Sequence, residues 1–389
     1  MYVDFTPEQQ ELRGKIRDYF TSLMTPATRD RLSQEVGGPV YKEVIRQIGK
    51  DGWLGVGWPK EWGGQGFTGI EQLIFLDEAR RAGAPLPFVT LNTVGPAIMR
   101  HGSEDQKRKL LPAILGGEVH FAIGYSEPGA GTDLASLTTR AERRGDEYVV
   151  NGTKMFTSGA NDADYVWLAA RTDPKAPKHK GISILITPTT DPGFRLSPIF
   201  TVGEGRTNMT YYEDVRVPVA NRVGEENDGW KLITTQLNYE RIGLGAWGCV
   251  AQRLVEDVVR WARETKAEDG EPVAAKGWVQ VALAEAYARV EAAKVMNWRM
   301  AWELEGGKLE SARASSVKVF GTEELMEIYR LLLDVLGPVG LLRRGSPGAL
   351  LHGEVEQQYR SCQINTFGGG VNEIQRQIVA MMGLGLPRG

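Results

Sequence analysis

Gly124-Tyr125-Ser126-Glu127-Pro128-Gly129-Ala130-Gly131-Thr132-Asp133, with Asn151-Gly152-Thr153-Lys154-Met155-Phe156-Thr157-Ser158-Gly159 further along, is the sequence on which the fold is decided. Glycines at 129 and 131 let main-chain N–H groups come close to a ligand, and Ser126 and Thr132 add hydroxyl donors. A loop so rich in donors suits an anionic or electron-rich ligand. Taken alone, it reads as well as a tight turn between strands.

Upstream, the chain reads as helical to about residue 120. Thr6-Pro7-Glu8-Gln9 predicts a helix start with Thr6 as cap, Pro7 in the first turn and Gln9 completing a capping box. Leu12, Ile16 and Phe20 then form one apolar face. Gly55 to Gly66 is a break around Trp58-Pro59-Lys60-Glu61-Trp62-Gly63-Gly64, and helices are predicted again at Ile70 to Ala82 and Glu104 to Leu115. Residues 121–228 carry strand and turn signals. Asn151-Gly152 predicts a hairpin turn, and Tyr165 to Ala170, Gly181 to Thr187 and Thr210 to Pro218 predict strands. From about Asn227 the pattern is helical once more. Val250, Leu254, Val258 and Trp261 share a face, and Gly243, Gly245 and Gly248 imply close packing at the start of that helix. Further helices are predicted at Val273 to Leu304, Leu309 to Leu336, Gly353 to Tyr359 and Val371 to Met382.

The chain's 389 residues allow two or three domains, and 42% hydrophobic residues fit a globular protein. A formal charge of −3 without a basic stripe argues against nucleic acid. Two cysteines fit a reducing compartment, and Met1-Tyr2-Val3-Asp4-Phe5 shows no export signal, so a cytoplasmic location is expected. No run of about 18 apolar residues predicts a membrane span. The histidines at 101, 120, 179 and 352 lack metal-ligand spacing, so no metal is expected.

The two quoted segments resemble the flavin-holding loops of the acyl-CoA dehydrogenase family, and the resemblance extends along nearly the whole chain. Trp58 to Gly64, Tyr212-Glu213-Asp214-Val215-Arg216-Val217-Pro218, Gly229-Trp230 and Glu373-Ile374-Gln375-Arg376 match its landmarks at the expected intervals. Leu54 to Glu61 and Thr366-Phe367-Gly368-Gly369-Gly370-Val371-Asn372-Glu373 resemble the heteromeric actinobacterial members that act on steroid side-chain CoA thioesters. The resemblance implies an α+β fold: an N-terminal α-helical domain (1–120), a small middle β-barrel domain (121–228) and a C-terminal four-helix bundle (229–389). It implies FAD, held by Tyr125, Ser126, Gly131, Thr132, Phe156, Thr157, Ser158, Gly369 and Gly370. An acyl-CoA substrate would meet Thr132, Arg241 and Gly369.

The implied reaction removes a proton from the thioester Cα as hydride leaves Cβ for the flavin. Burial against apolar neighbours raises a glutamate's pKa and improves it as that base. Alignment on Ile374-Gln375-Arg376 places Gly369 where many family members keep the glutamate, and glycine cannot abstract a proton. A minority place the base on a helix before an arginine, where this chain has Asn238-Tyr239-Glu240-Arg241. Glu240 is therefore the expected base, and a main-chain N–H at Gly369 or its neighbour the expected donor to the enolate oxygen.

Two departures bear on assembly. Family homotetramers reach a neighbour's flavin through Arg-x-x-Phe-Gly and Gln-x-x-Gly-Gly. Here those places hold Lys266-Ala267-Glu268-Asp269-Gly270 and Asp334-Val335-Leu336-Gly337-Pro338, and an aspartate beside a pyrophosphate is repulsive. The expectation is an α2β2 assembly with a second acyl-CoA dehydrogenase-like subunit, passing electrons to an electron-transfer flavoprotein. Rival readings are a non-catalytic partner subunit, a flavin-dependent acyl-CoA oxidase and a flavin-free binding protein.

Overall fold

The computed structural model describes residues 4–34, 37–234, 236, 248–305 and 310–387. Its first helix, α1 (Pro7–Leu23), starts as the sequence predicts: the Gln9 N–H donates to Thr6 Oγ1 at 3.2 Å, and the Thr6 N–H to Gln9 Oε1 at 3.0 Å. Ile16 and Phe20 are fully buried, and Leu12 packs against the same core. This face meets α4 (Gly69–Arg81), whose buried Glu78 accepts from Arg13 Nε at 2.6 Å and Arg17 Nη2 at 2.8 Å. Also in the helical layer are α2 (Pro26–Gln34), α3 (Gly38–Lys50), α5 (Gly95–His101) and α6 (Glu104–Leu115). The predicted break before α4 is tight: the Trp58 indole donates to Leu91 O at 3.1 Å, and a Cβ at Gly64 would lie 2.1 Å from Trp58 O.

Eight strands follow: β1 (Phe121–Gly124), β2 (Arg140–Arg144), β3 (Glu147–Lys154), β4 (Tyr165–Arg171), β5 (Ile182–Pro188), β6 (Phe194–Phe200), β7 (Arg206–Pro218) and β8 (Arg222–Val223). They form one mixed sheet in the order β6-β7-β3-β2-β4-β5-β8, with β1 parallel to β4. Leu185 on β5 shares a core with Tyr212 and Val215 on β7, although three strands separate β5 from β7 in the sheet. The sheet is therefore rolled about its own side chains. The ends of β1 and β3 deliver the two segments quoted at the outset.

The hairpin expected at Asn151-Gly152 is not there. These residues lie inside β3, at a register shift against β7 between Val150 and Gly152. Asn151 exchanges two hydrogen bonds with Asp214 across the strands (2.9 and 3.0 Å), which accounts for the asparagine. Gly152, at φ +155°, runs so close to Thr139 that a Cβ would fall 2.5 Å from Thr139 Oγ1. The pair faces a bulge on the partner strand: β7 advances three residues from Tyr212 to Val215 where β3 advances two, and Asp214 in that stretch sits at φ +52°. The actual hairpin joins β2 to β3 through Gly145, at φ +62°.

The C-terminal helices are α7 (Gly248–Glu264), α8 (Gly277–Glu305), α9 (Ser311–Leu336), α10 (Glu354–Ser361) and α11 (Asn372–Ile378). Leu254, Val258, Val279, Ala286, Ile328 and Leu332 are among the side chains that fill the core between α7, α8 and α9. The expected face of α7 points inwards, with Leu254 and Val258 fully buried. At Gly248 a Cβ would meet nothing within 4 Å among the described residues, so none of these packs close to it. Gly243 and Gly245 lie outside the described residues. Among the described residues, no helix is long and apolar enough to cross a membrane.

The bulge gives a direct test. A G152A substitution should lower stability by about 1–3 kcal/mol, because Thr139 sits between two strands and has little room to yield. Thermal unfolding followed by circular dichroism measures it, and an unchanged midpoint would contradict this account of Gly152.

Candidate functional site

The loop after β1 is braced from below by a buried ion pair. Lys154, fully buried at the end of β3, donates from Nζ to Glu127 Oε1 at 2.8 Å and to the carbonyl of Tyr125 at 3.0 Å. Glu127 also accepts from the Thr139 N–H (2.8 Å), the Thr138 N–H (2.7 Å) and the Thr138 hydroxyl (2.8 Å). The Met155 N–H donates to Ser126 O at 2.9 Å, so the two segments are stitched side by side. Burial works against ionisation of Glu127, but Lys154 and these donors outweigh it and hold the carboxyl down at about 2. Burial likewise weakens the ammonium of Lys154, and the pairing with Glu127 opposes that. With three further donors on the carboxylate, the ionised pair is the state of the folded protein.

Above this pair the loop is open. Gly131 and Thr132 are exposed, and Cβ atoms built at Gly129 or Gly131 would meet nothing within 4 Å. Neither glycine has a positive φ, so the room beside them serves neither a strained turn nor close packing within the chain. Phe156 is 54% exposed at φ +59°, a costly arrangement for a large aromatic with no partner to cover it. Ser158 is exposed beside it, its hydroxyl bonded to Thr207 Oγ1 at 3.0 Å. Other expected site residues point inwards. The Tyr125 ring is buried, its hydroxyl donating to Gln236 Oε1 at 2.7 Å and accepting from Trp167 Nε1 at 3.1 Å. Thr157 is fully buried, with its N–H on Asn208 O and its hydroxyl on Thr210. Their side chains therefore fix the segments from within and are turned away from the open face.

Ser158 and Gly369 come together on the wall of a cavity of about 300 Å³. It runs between α8 and α9 past Ala293, Ala314 and Gly321, and Phe88 and Ile364 also line it. Small side chains make the room, and a Cβ at Gly321 would again meet nothing within 4 Å. Gly369 (φ +67°) and Gly370 (φ +96°) are in conformations that favour glycine, and no hydrogen bond among the described residues uses either N–H. Glu324 is a carboxylate on the cavity wall, but Arg289 takes it in an ion pair. Glu240 and Arg241 lie outside the described residues. The residues on either side of their segment are informative: Gln236 holds the Tyr125 hydroxyl, and Gly248 lines the cavity.

Residues 6–118, 122–215 and 227–384 match the N-terminal, middle and C-terminal domains of acyl-CoA dehydrogenases. The whole chain is 54% identical to the acyl-CoA dehydrogenase FadE26 of Mycobacterium tuberculosis, covering 99% of that protein. The chain belongs to the acyl-CoA dehydrogenase family. The ChsE4-ChsE5 complex from Mycobacterium tuberculosis contains a chain 55% identical to this one, with a TM-score of 0.95 and 100% coverage of both. A chain of the Tcur3481-Tcur3483 steroid acyl-CoA dehydrogenase is 54% identical, also with a TM-score of 0.95 and full coverage.

Acyl-CoA dehydrogenases are FAD-dependent oxidoreductases, and the residues present fit that cofactor. The open glycine loop leaves room that Cβ atoms would fill, and the uncovered Phe156 offers a face to a planar ring. The Glu127–Lys154 pair was missed from the sequence, although both residues stand in the quoted segments. The available signal was a lysine in phase with the core-facing Tyr148 and Val150 of its strand.

Breaking this pair should be costly. K154M leaves a buried carboxylate without its cation, which costs about 3–5 kcal/mol, and it should also weaken flavin retention because Tyr125 and Glu127 lose their common anchor. The sign of the pH effect follows from Glu127. A carboxyl held below its ordinary value of 4.5 contributes stability above that pH and loses it as pH falls towards about 2. The stability gap between wild type and E127Q should therefore narrow over that window; a gap constant from pH 6 to pH 2.5 would refute the assignment.

Proposed function

We propose that this chain is the base-bearing subunit of a heteromeric acyl-CoA dehydrogenase that converts a bulky acyl-CoA, of the steroid side-chain class, to its α,β-enoyl thioester. The observation that carries the proposal is the cavity. It brings Ser158, from the flavin-facing segment, to Gly369, and it extends between two helices whose facing residues are small. Its volume, about 300 Å³, is at the lower end of the usual range for ligand sites. Glycine at 369 leaves free the space a loop carboxylate would occupy next to Cα.

The thioester oxygen would be held by the unused N–H of Gly369 or Gly370, where negative charge develops as the α proton leaves. Glu240 takes that proton. Glu324 is engaged by Arg289, while Gln236 at the flavin loop and Gly248 at the cavity wall bracket the segment that carries Glu240. The flavin supplies the acceptor for the β hydride. Phe156 and Ser158 would hold its ring, and Gly131 and Thr132 would meet its polar groups. Arg241 would contact the CoA side.

Assembly with a second, related subunit is supported by both structural neighbours, whose names each join two proteins. The chain's own residues support it as well. Asp334 accepts from Arg330 Nη1 at 2.6 Å, and Lys276 takes Asp269, so the positions where homotetramers serve a neighbouring flavin present acidic, internally paired groups. The α2β2 enzyme would hold two flavins, work in the cytoplasm and pass electrons to an electron-transfer flavoprotein.

In the reconstituted enzyme, E240Q should retain flavin and lower kcat on the order of 1,000-fold, within the usual reach of general-base catalysis. Full activity in E240Q would assign the base elsewhere. G321L fills the cavity from α9 and should abolish turnover of steroid thioesters while sparing short acyl-CoAs. Equal losses on both would show that the bulky group lies elsewhere.

A further inference from the structure

Lys318, on α9, is only 4% exposed, yet its ammonium is the hub of the loop that carries Gly369. Nζ donates to the carbonyl oxygens of Thr366 (3.0 Å) and Gly370 (2.6 Å) and to Asn372 Oδ1 (2.6 Å). An ammonium has three protons, and three oxygens from the loop and the start of α11 lie within hydrogen-bond distance of it. Asn372 is oriented in turn: its Nδ2 donates to Thr322 Oγ1 at 3.1 Å and to Glu323 Oε1 at 3.0 Å. One turn earlier on α9, the Ser315 hydroxyl donates to Gln375 Oε1 at 2.8 Å. Residues 315, 318 and 322 share one helix face, and that face sets the position of the loop and of the helix after it.

This loop needs an external brace. Gly368, Gly369 and Gly370 are consecutive, and glycine loses more conformational freedom on ordering than any other residue. Gly369 and Gly370 are held in left-handed conformations that a free glycine run would leave readily. One buried cation gathers the carbonyls on both sides of Gly369, at residues 366 and 370, while Gly369 lines the cavity and its N–H has no hydrogen-bond acceptor among the described residues. Its charge also favours an oxygen that becomes negative nearby.

We propose that Lys318 is a positioning residue for the oxidation: it fixes the N–H of Gly369 where the thioester oxygen must lie and makes that place electropositive. The inference rests on the reading of the site as an acyl-thioester oxidation centre. A lysine that merely stabilises the bundle would change the melting temperature and the yield of flavin-loaded protein. It would not change how strongly a bound thioester is polarised.

The test compares wild type, K318M and K318R in the flavin-loaded enzyme. For K318M, kcat should fall about 100-fold, the scale set by loss of an oxyanion donor, with KM within threefold, and K318R should recover part of the loss. Difference infrared spectra of a bound enoyl-CoA report polarisation without turnover. The wild type should lower the thioester carbonyl frequency, and K318M should return it towards the free value. If K318M retains the wild-type shift and kcat, the positioning role is overturned. If the wild type binds the thioester but neither polarises nor oxidises any acyl-CoA, the functional reading fails, and this inference fails with it. Should K318M not fold, N372S removes one of the three acceptors, and a smaller loss of kcat and frequency shift is expected; unchanged values would again overturn the proposal.

Discussion

A buried ammonium and a buried carboxylate hold together the two segments on which the site is built. Lys154 reaches from the end of β3 to Glu127 and to the carbonyl of Tyr125 in the loop after β1. Such a pair gives little net stability, because desolvating two charges offsets most of their attraction. What it supplies is position. With the four-donor coordination of Glu127, the loop has one way to sit, and its outward face of glycines and exposed N–H groups is fixed before any ligand arrives. Preorganised donors cost nothing to orient when a ligand binds, which is the condition for strong recognition of charge.

The same logic recurs in the bundle, with the polarity changed. At the β domain a cation holds an acid and a carbonyl. At α9, Lys318 holds two carbonyls and an amide oxygen. In both places a lysine anchors a glycine-containing loop partly through its main-chain oxygens: Tyr125 O in the first, and Thr366 O and Gly370 O in the second. Arginine's planar fork would suit a flat carboxylate better. A compact ammonium can serve acceptors converging from three directions.

How much could be read from sequence follows from what each signal measures. The capping box at Thr6, the core face of Ile16 and Phe20, and strands β4, β5 and β7 were legible because apolar periodicity and cap chemistry are local properties. Strands β2 and β6 were not: Arg140 to Arg144 is almost entirely polar and exposed, and in β6 the alternation of Phe194, Arg195, Leu196 and Ser197 stops at Pro198 and buries no side chain fully. Asn151-Gly152 was misread because a glycine needed for close approach to Thr139 looks the same in sequence as one needed for a hairpin turn; the bulge opposite it belongs to β7. The glycine loop at 129–131 and the Phe156-Thr157-Ser158 segment were found, but which of their side chains face out depended on partners distant in sequence. Tyr125 turned inwards because Gln236 and Trp167 supply the polar contacts its hydroxyl needs once buried. Lys318 carried no signal, since a lone lysine in a helix reads as solvent-facing.

The distribution of glycine ties these points to the chemistry. At Gly64 and Gly152 a Cβ would collide with main-chain or threonine atoms, so the absence of a side chain serves packing. At Gly129, Gly131, Gly248 and Gly321 a Cβ would meet no atom of the described residues within 4 Å. A glycine in a helix interior, such as Gly321, sacrifices about 1 kcal/mol relative to alanine, and no close packing among the described residues offsets it. Gly248 and Gly321 both border the cavity, and Gly129 and Gly131 border the open loop across the flavin-facing segment from it. A side chain at any of these four positions would narrow the open loop or the cavity, so the two groups of glycines keep both spaces clear of the described residues.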